Sequence, residues 1–327
     1  MLARLKAAAK RHPRVVAAVR AAYPALAWLS NRPAVYTRVA PYLREMEFDE
    51  VRLTGRGNEP EAHLCRTRRY VDVARADVLV LGAGRGEELA LWRAQQPRSL
   101  TAVDALDHAR HWHAVPGVRF ARMDARALAF ADASFDLVAS TALFEHIDRV
   151  DDAAREMARV LRPGGLAFAN FGPLWWTYGG AHYDGAFEHL SMDDAGLERY
   201  LLARGIPAEL EDGLVWLRHG MFSRLRYDDY LRIFRRHFNL AHTVLAVSQP
   251  ALRYRRQHPA AWRALTGRFA ERDLLTFSMT VWMRPKAAPI ALRTPRDVTP
   301  ALRQPPQHAS PRRGLSARAD ADVEVAA

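Results

Sequence analysis

Among 327 residues there is a single cysteine, Cys65. No intramolecular disulfide is therefore available, and a reducing compartment is the natural setting. Long hydrophobic runs are also missing. The stretch from Val15 to Ser30 is interrupted by Arg20 and Pro24, short of the roughly 20 apolar residues that span a bilayer. The same interruption argues against a secretory signal in the basic start. A cytoplasmic location is expected, with peripheral contact at the inner membrane face as an added option. Acids are absent before Glu45, whereas Arg4, Lys6, Lys10, Arg11, Arg14 and Arg20 precede it, as do Arg32, Arg38 and Arg44. The bias behind the net charge of +12 thus belongs to an amino-terminal arm. Leu2, Leu5, Ala8 and Ala9 give that arm a modest apolar side, enough for weak contact with an anionic membrane surface. A solvated basic helix is the simpler reading. No aromatic-basic platform accompanies the charge, so nucleic acid is not an expected partner.

What is present is concentrated in one stretch. Val78, Leu79, Val80 and Leu81 run into Gly82-Ala83-Gly84-Arg85-Gly86, and Glu87 and Glu88 open a helix-like segment. Such an order describes a buried parallel strand, a tight turn and a helix whose free N–H groups point back over the strand end. Glycine suits the turn because a ligand approaches where a Cβ would clash. A dinucleotide loop has G-x-G-x-x-G, with a small third residue for close helix–strand packing. Here that position is Glu87, and the third glycine comes one residue early at Gly86. The pattern suits a smaller ligand without a pyrophosphate and with a positive centre, such as the sulfonium of S-adenosylmethionine. Gly82, Ala83, Gly84 and Gly86 are the expected cofactor contacts in the loop.

Further strands follow. Residues 99–104 end in Asp104, whose carboxylate suits a ribose diol. Residues 118–124 end in Asp124, placed for an adenine amine, and residues 134–140 end in Ser140. Ala125 and Ser140 complete the expected cofactor contacts. A helix carrying Ala153, Ala154, Met157, Val160 and Leu161 stops at Arg162-Pro163-Gly164-Gly165, before a fifth strand over 166–171.

Phe135-Asp136-Leu137-Val138, Glu145-His146-Ile147 and Glu156-Met157-Ala158-Arg159-Val160-Leu161-Arg162-Pro163-Gly164-Gly165 together resemble the class I S-adenosylmethionine-dependent methyltransferases. The resemblance covers about residues 78–171 and resumes at 239–245 and 274–282. It implies an α/β fold: a Rossmann-like doubly wound seven-stranded sheet with an antiparallel last strand, an N-terminal helical arm and a substrate-lid insertion after strand five. The antiparallel strand separates this fold from that of hydride-transfer enzymes. His146 belongs to the pattern and either contributes to the site or packs beneath it.

Three regions are expected. Residues 1–74 read as the basic helical arm, broken at Pro24, Pro33 and Pro41; 75–285 as the methyltransferase domain; and 286–327 as a disordered tail. The lid insertion occupies 172–224. Inside it Ser191-Met192-Asp193-Asp194 resembles a capping box with Asp in place of Glu, and Gly205 marks a helix end. Residues 227–238 return to the core as an amphipathic helix.

Acceptor choice belongs to the insertion, because functional loops gather at the carboxyl ends of parallel strands. Its Gly172-Pro173-Leu174-Trp175 and Gly180-Ala181-His182 are similar to a subset of these methyltransferases, some encoded with surface-glycan enzymes. Trp175 and Trp176 either stack on the acceptor or fasten the lid. A hydroxyl acceptor needs proton removal, for which His182 and His189 are the candidate catalytic residues, with Glu188 and Asp184 as alternatives. The spacing of these four matches no metal pattern, and no metal is expected. The resulting reading is methyl transfer from S-adenosylmethionine to a small-molecule or glycan acceptor at oxygen. An inactive methyltransferase-like binding or scaffold protein is the alternative, with an RNA methyltransferase behind it.

Overall fold

A computed structural model describes residues 42–286 apart from 44, 55–59, 87, 107, 109–115, 184 and 206–212. Its strands are β1 (Glu50–Thr54), β2 (Asp77–Leu81), β3 (Ser99–Asp104), β4 (Arg119–Arg122), β5 (Phe135–Thr141), β6 (Leu161–Phe171), β7 (Phe238–Ser248) and β8 (Thr276–Pro285). They form one sheet in the order β1-β7-β8-β6-β5-β2-β3-β4. Only β8 runs antiparallel to its neighbours, β6 and β7; the remaining pairs are parallel. This is the doubly wound arrangement implied by the sequence, with one strand more than the seven expected.

The extra strand is β1, which lies in the stretch read as helical arm. Its residues pair in parallel with β7, from Glu50 opposite Val244 to Thr54 opposite Ser248. Val51 and Leu53 pack on the core cluster, while Glu50 binds Arg52 at 2.7 Å and Arg66 at 2.6 Å. That alternation is the signature of a half-buried strand, but five residues beside a basic arm carry it faintly. Of the arm, Pro24, Pro33 and Pro41 lie outside the described residues, as does the tail from 287 onward.

Burial explains why β2 is central. Leu79 and Leu81 belong to the cluster on one face and Val78 and Val80 to that on the other. Each such side chain is worth about 1.5–3 kcal/mol when fully buried. Helices cover the faces: α1 (Pro60–Thr67), α2 (Leu89–Arg93), α3 (Val150–Val160), α4 (Asp194–Ala203), α5 (Gly213–Arg218), α6 (Tyr227–His237), α7 (Gln249–Gln257), α8 (Pro259–Thr266) and α9 (Glu271–Leu275). Helix α3 buries Val150, Ala153, Ala154, Met157 and Val160, the spacing expected of one helical face. Helix α6 does the same with Tyr227, Tyr230, Leu231 and Phe234. In the insertion, α4 is capped by Asp193, whose side chain accepts from the Gly196 N–H at 2.7 Å. The cap is thus two residues later than Ser191, because Asp193 already supplies the oxygen the helix start requires.

At the amino ends of the central strands, two acids and two arginines are interlocked. Arg98 reaches Asp77 at 2.6 Å and Asp136 at 2.7 Å, and Arg162 reaches the same pair at 3.0 and 2.7 Å. The Asp77 N–H donates to Asp136 at 2.9 Å and Ser99 Oγ to Asp77 at 2.7 Å. Hydrogen bonds from Arg98 foremost, then from Ser99 and Arg162, hold the Asp77 carboxyl well below the usual carboxylate range. A depressed folded-state pKa contributes stability that is present above the unfolded value, about 4, and lost as pH falls below it. Asp77→Asn should therefore lower unfolding stability at pH 7 by about 1–3 kcal/mol. Urea titrations at pH 7 and pH 3 should find this gap narrowed at the lower pH.

Candidate active site

A cavity of about 600 Å³ opens at the carboxyl ends of β2, β3 and β5. The strand order reverses there, since β2 pairs with β3 on one side and β5 on the other, which is where open α/β sheets take ligands. Gly82, Ala83, Gly84, Asp104, Asp124 and Ala125 line one part of it. Glu145, His146, Gly172, His182, Trp216 and Met221 line another.

Asp104 is fixed by backbone. Its Oδ2 accepts the Gly84 N–H at 2.8 Å and its Oδ1 the Leu106 N–H at 2.8 Å. Among the described residues these are its two hydrogen bonds, and a carboxylate has further lone pairs that suit a diol. Gly82 adopts φ +69°, and a Cβ there would sit 3.0 Å from the Leu143 side chain. The glycine therefore allows Leu143 to close over the turn. Asp124 lines the cavity too, but its carboxylate is held by Arg126. The guanidinium donates at 3.0 Å to each oxygen through Nε and at 2.6 Å through Nη2, and the Arg126 N–H adds a bond at 2.8 Å. Those bonds depress the Asp124 pKa and use most of its accepting capacity.

Two expected contacts are not brought to the cavity wall. Gly86 is buried within the turn, with its N–H donating to the Ala83 carbonyl at 2.8 Å, and is not part of the lining. Ser140 is 1 % exposed inside β5, and Thr141, one residue on, lines the cavity in its place. Along a strand, side chains alternate between faces, so a shift of one residue changes what meets the ligand.

The second part of the cavity begins with the short turn Phe144–His146. Phe144 is fully buried against Phe171 and Phe234, with ring centroids 5.6 and 5.2 Å apart, and so anchors its two neighbours. Glu145 is 2 % exposed. Its Oε1 accepts the Gly172 N–H at 2.8 Å, while its Oε2 is buried with no hydrogen-bond partner among the described residues. Burial pushes the Glu145 carboxyl up to about 8 and the His146 imidazole down to about 4. His146 Nδ1 lies 3.0 Å from the Met221 carbonyl, and its ring stacks on Trp216 at 4.2 Å. His182, at φ +60°, places its ring 4.6 Å from that of His146.

Of the two expected catalytic histidines, only His182 lines this cavity. His189 lies elsewhere: it is 1 % exposed, its Nε2 is 2.7 Å from the Trp175 carbonyl, and its ring meets Trp175 edge-on at 5.1 Å. Its partner is the insertion's own backbone, which makes it a fastening. Glu188 likewise accepts the Ala186 N–H at 2.6 Å, and Asp184 lies outside the described residues. Trp175 is buried under Arg224, and Trp176 donates to the Arg224 carbonyl at 3.0 Å. Neither lines the cavity, so both hold the insertion together. Glu145 and Trp216 line the cavity without a role in the sequence pattern. The available signal was a carboxylate between Phe144 and Ile147, an acid inside an apolar run.

The chain is similar to several known proteins. Residues 79–169 match the sequence family described as a methyltransferase domain. An uncharacterized methyltransferase of Mycolicibacterium paratuberculosis is 36% identical over 108 residues, which cover 30% of this chain and 42% of that protein. The malonyl-[acyl-carrier protein] O-methyltransferase of Methylococcus capsulatus is 39% identical over 113 residues, 32% of this chain and 40% of that protein. The chain thus spans less than half the length of these relatives. A solved S-adenosylmethionine-dependent methyltransferase from Mesorhizobium loti aligns over 69% of this chain and 98% of its own, at 21% identity and a TM-score of 0.45. Residues 79–169 thus match a methyltransferase domain, and the glycine turn, the Asp104 contact and the single antiparallel strand are similar to those of the class I S-adenosylmethionine-dependent methyltransferases.

Proposed function

We propose that this protein transfers a methyl group from S-adenosylmethionine to an oxygen of a small-molecule acceptor. One observation carries the reading: a single cavity joins the Gly84–Asp104 contact to His182 and Trp216. Its residues fit the cofactor. Asp104 retains acceptor positions for a ribose diol, the bare backbone of Gly82 and Gly84 leaves room for close approach, and Ala125 and Leu143 offer apolar contact for a purine. Bound there, S-adenosylmethionine supplies an electrophilic methyl on a sulfonium. The protein's share is then alignment, which gives an in-line displacement much of its rate.

The acceptor end is that of His182, His146 and Trp216. His146 stacks on Trp216 and His182 meets it edge-on, which gives a partly apolar corner suited to a planar or chain-like acceptor. Glu145 and the two histidines supply the polar groups near which a hydroxyl or carboxyl oxygen would sit. The malonyl-carrier relative, by its name an O-methyltransferase, supports oxygen as the target. A glycan acceptor remains within the reading, through stacking on Trp216 rather than on Trp175 or Trp176.

Calorimetric titration with S-adenosylhomocysteine tests the cofactor half. Asp104→Ala should weaken binding by about 1.5–3 kcal/mol, roughly ten- to a hundredfold. A folded protein with no measurable binding would overturn the assignment. Trp216→Ala separates the two ends of the cavity. It should leave S-adenosylhomocysteine affinity within about threefold, while reducing turnover of acceptors found by screening hydroxylated and carboxylated compounds. Loss of affinity as large as in Asp104→Ala would place Trp216 in the cofactor site instead.

A further inference from the structure

Glu145, His146 and His182 come from two distant stretches of chain, yet one ligating atom of each lies within 4.8 Å of the others. The arrangement has three features that packing alone does not require. First, Glu145 is 2 % exposed and its Oε2 has no hydrogen-bond partner among the described residues, nor has the buried Nε2 of His182. Leaving a buried polar atom unpaired costs about 1–3 kcal/mol, and here two face the same space.

Second, each histidine is held through a backbone carbonyl. The Met221 carbonyl, 3.0 Å from His146 Nδ1, can only accept, so that nitrogen carries the proton and Nε2 keeps its lone pair. His182 interacts with the Pro173 carbonyl, and its orphaned Nε2 is likewise left as the free nitrogen. A carbonyl on one ring nitrogen, orienting the other, is the support that metal-ligating histidines commonly have. Third, His182 adopts φ +60°, and its own N–H donates to the Gly179 carbonyl at 2.9 Å. Residues held in sparsely populated backbone regions gather at functional sites.

We propose that Glu145 Oε2, His146 Nε2 and His182 Nε2 bind one divalent transition-metal cation, zinc or a close relative, at the acceptor end of the cavity. When the cation displaces the Glu145 proton, one carboxylate and two neutral imidazoles carry a single negative charge and offer the mixed oxygen and nitrogen set that zinc, cobalt and manganese accept. Zinc–ligand bonds of about 2.0–2.2 Å put neighbouring ligand atoms roughly 3–4 Å apart. Binding would draw the three atoms together from their present spacing, within 4.8 Å of one another. Three protein ligands leave a position open toward the cavity, where an acceptor hydroxyl or carboxyl oxygen completes the set. This role for the acceptor end rests on the methyl-transfer reading; cation binding itself does not. It replaces the expectation that no metal is held, which weighed only His182, Asp184, Glu188 and His189.

The test uses the full chain, freed of any affinity tag and dialysed against chelator. Calorimetry with zinc chloride reads stoichiometry, and visible absorption with cobalt chloride reads the ligand field. One equivalent of zinc is expected, with affinity reduced at least about tenfold by His182→Ala and by Glu145→Gln. The cobalt bands should fade in the same variants. Circular dichroism and S-adenosylhomocysteine binding report whether each variant is folded, and His189→Ala, buried outside the cavity, serves as a control that keeps the zinc site. Absence of stoichiometric zinc binding in the folded parent overturns the proposal. So does zinc binding that survives both substitutions, which would assign the metal to other groups. The two readings fail separately. Zinc binding without S-adenosylhomocysteine binding would sink the cofactor assignment alone, and the reverse would sink the metal site alone.

Discussion

Asp104 accepts the amide of Gly84 on one oxygen and that of Leu106 on the other, tying the turn after β2 to the end of β3. This contact makes the turn and the carboxylate interdependent. The glycine backbone can follow its tight path because an acceptor waits for its N–H, and the carboxylate is aimed because the turn holds it. Both depend on β2 lying between β3 and β5 with its faces covered. In such a strand the chain must leave at the end, and the exposed amides there are what a ligand meets.

Local chemistry determines what the sequence reveals. β2 and its turn are legible because an uninterrupted apolar run followed by glycines has few other solutions. The E-M-x-R-V-L-R-P-G-G stretch is legible as a pattern, but its work proves structural. Glu156 accepts the Leu128 N–H at 2.9 Å, Arg159 donates to the Leu128 carbonyl at 2.8 Å, and Arg162 joins the strand starts. These residues fasten the loop after β4 and the amino ends of the sheet, leaving the ligand end to other positions.

Other features need contacts that sequence spacing cannot supply. Ser140 and Thr141 differ by one place in a strand buried on both faces, where no polar–apolar alternation marks which one reaches the cavity. Glu145 becomes buried only because Gly172 and Ser223, far along the chain, bond its side chain and carbonyl. His182 and His189 look alike as loop histidines, yet a backbone carbonyl claims the Nε2 of His189 while the buried Nε2 of His182 has no hydrogen-bond partner among the described residues. Burial and orientation, which separate a ligand from a fastening, are products of the finished fold.

The first strand gives the region before the glycine turn a different standing. β7 has β8 on one side and β1 on the other, so its last five residues, Val244 to Ser248, are paired with a segment that a catalytic-core definition beginning near residue 75 would discard. Trimming the chain there would bare a row of amides and carbonyls along Val244 to Ser248, the kind of edge onto which another polypeptide adds itself as a strand. Residues 50–54 are therefore a selvage: they are the sheet's border, and they take the row of β7 groups that would otherwise form it.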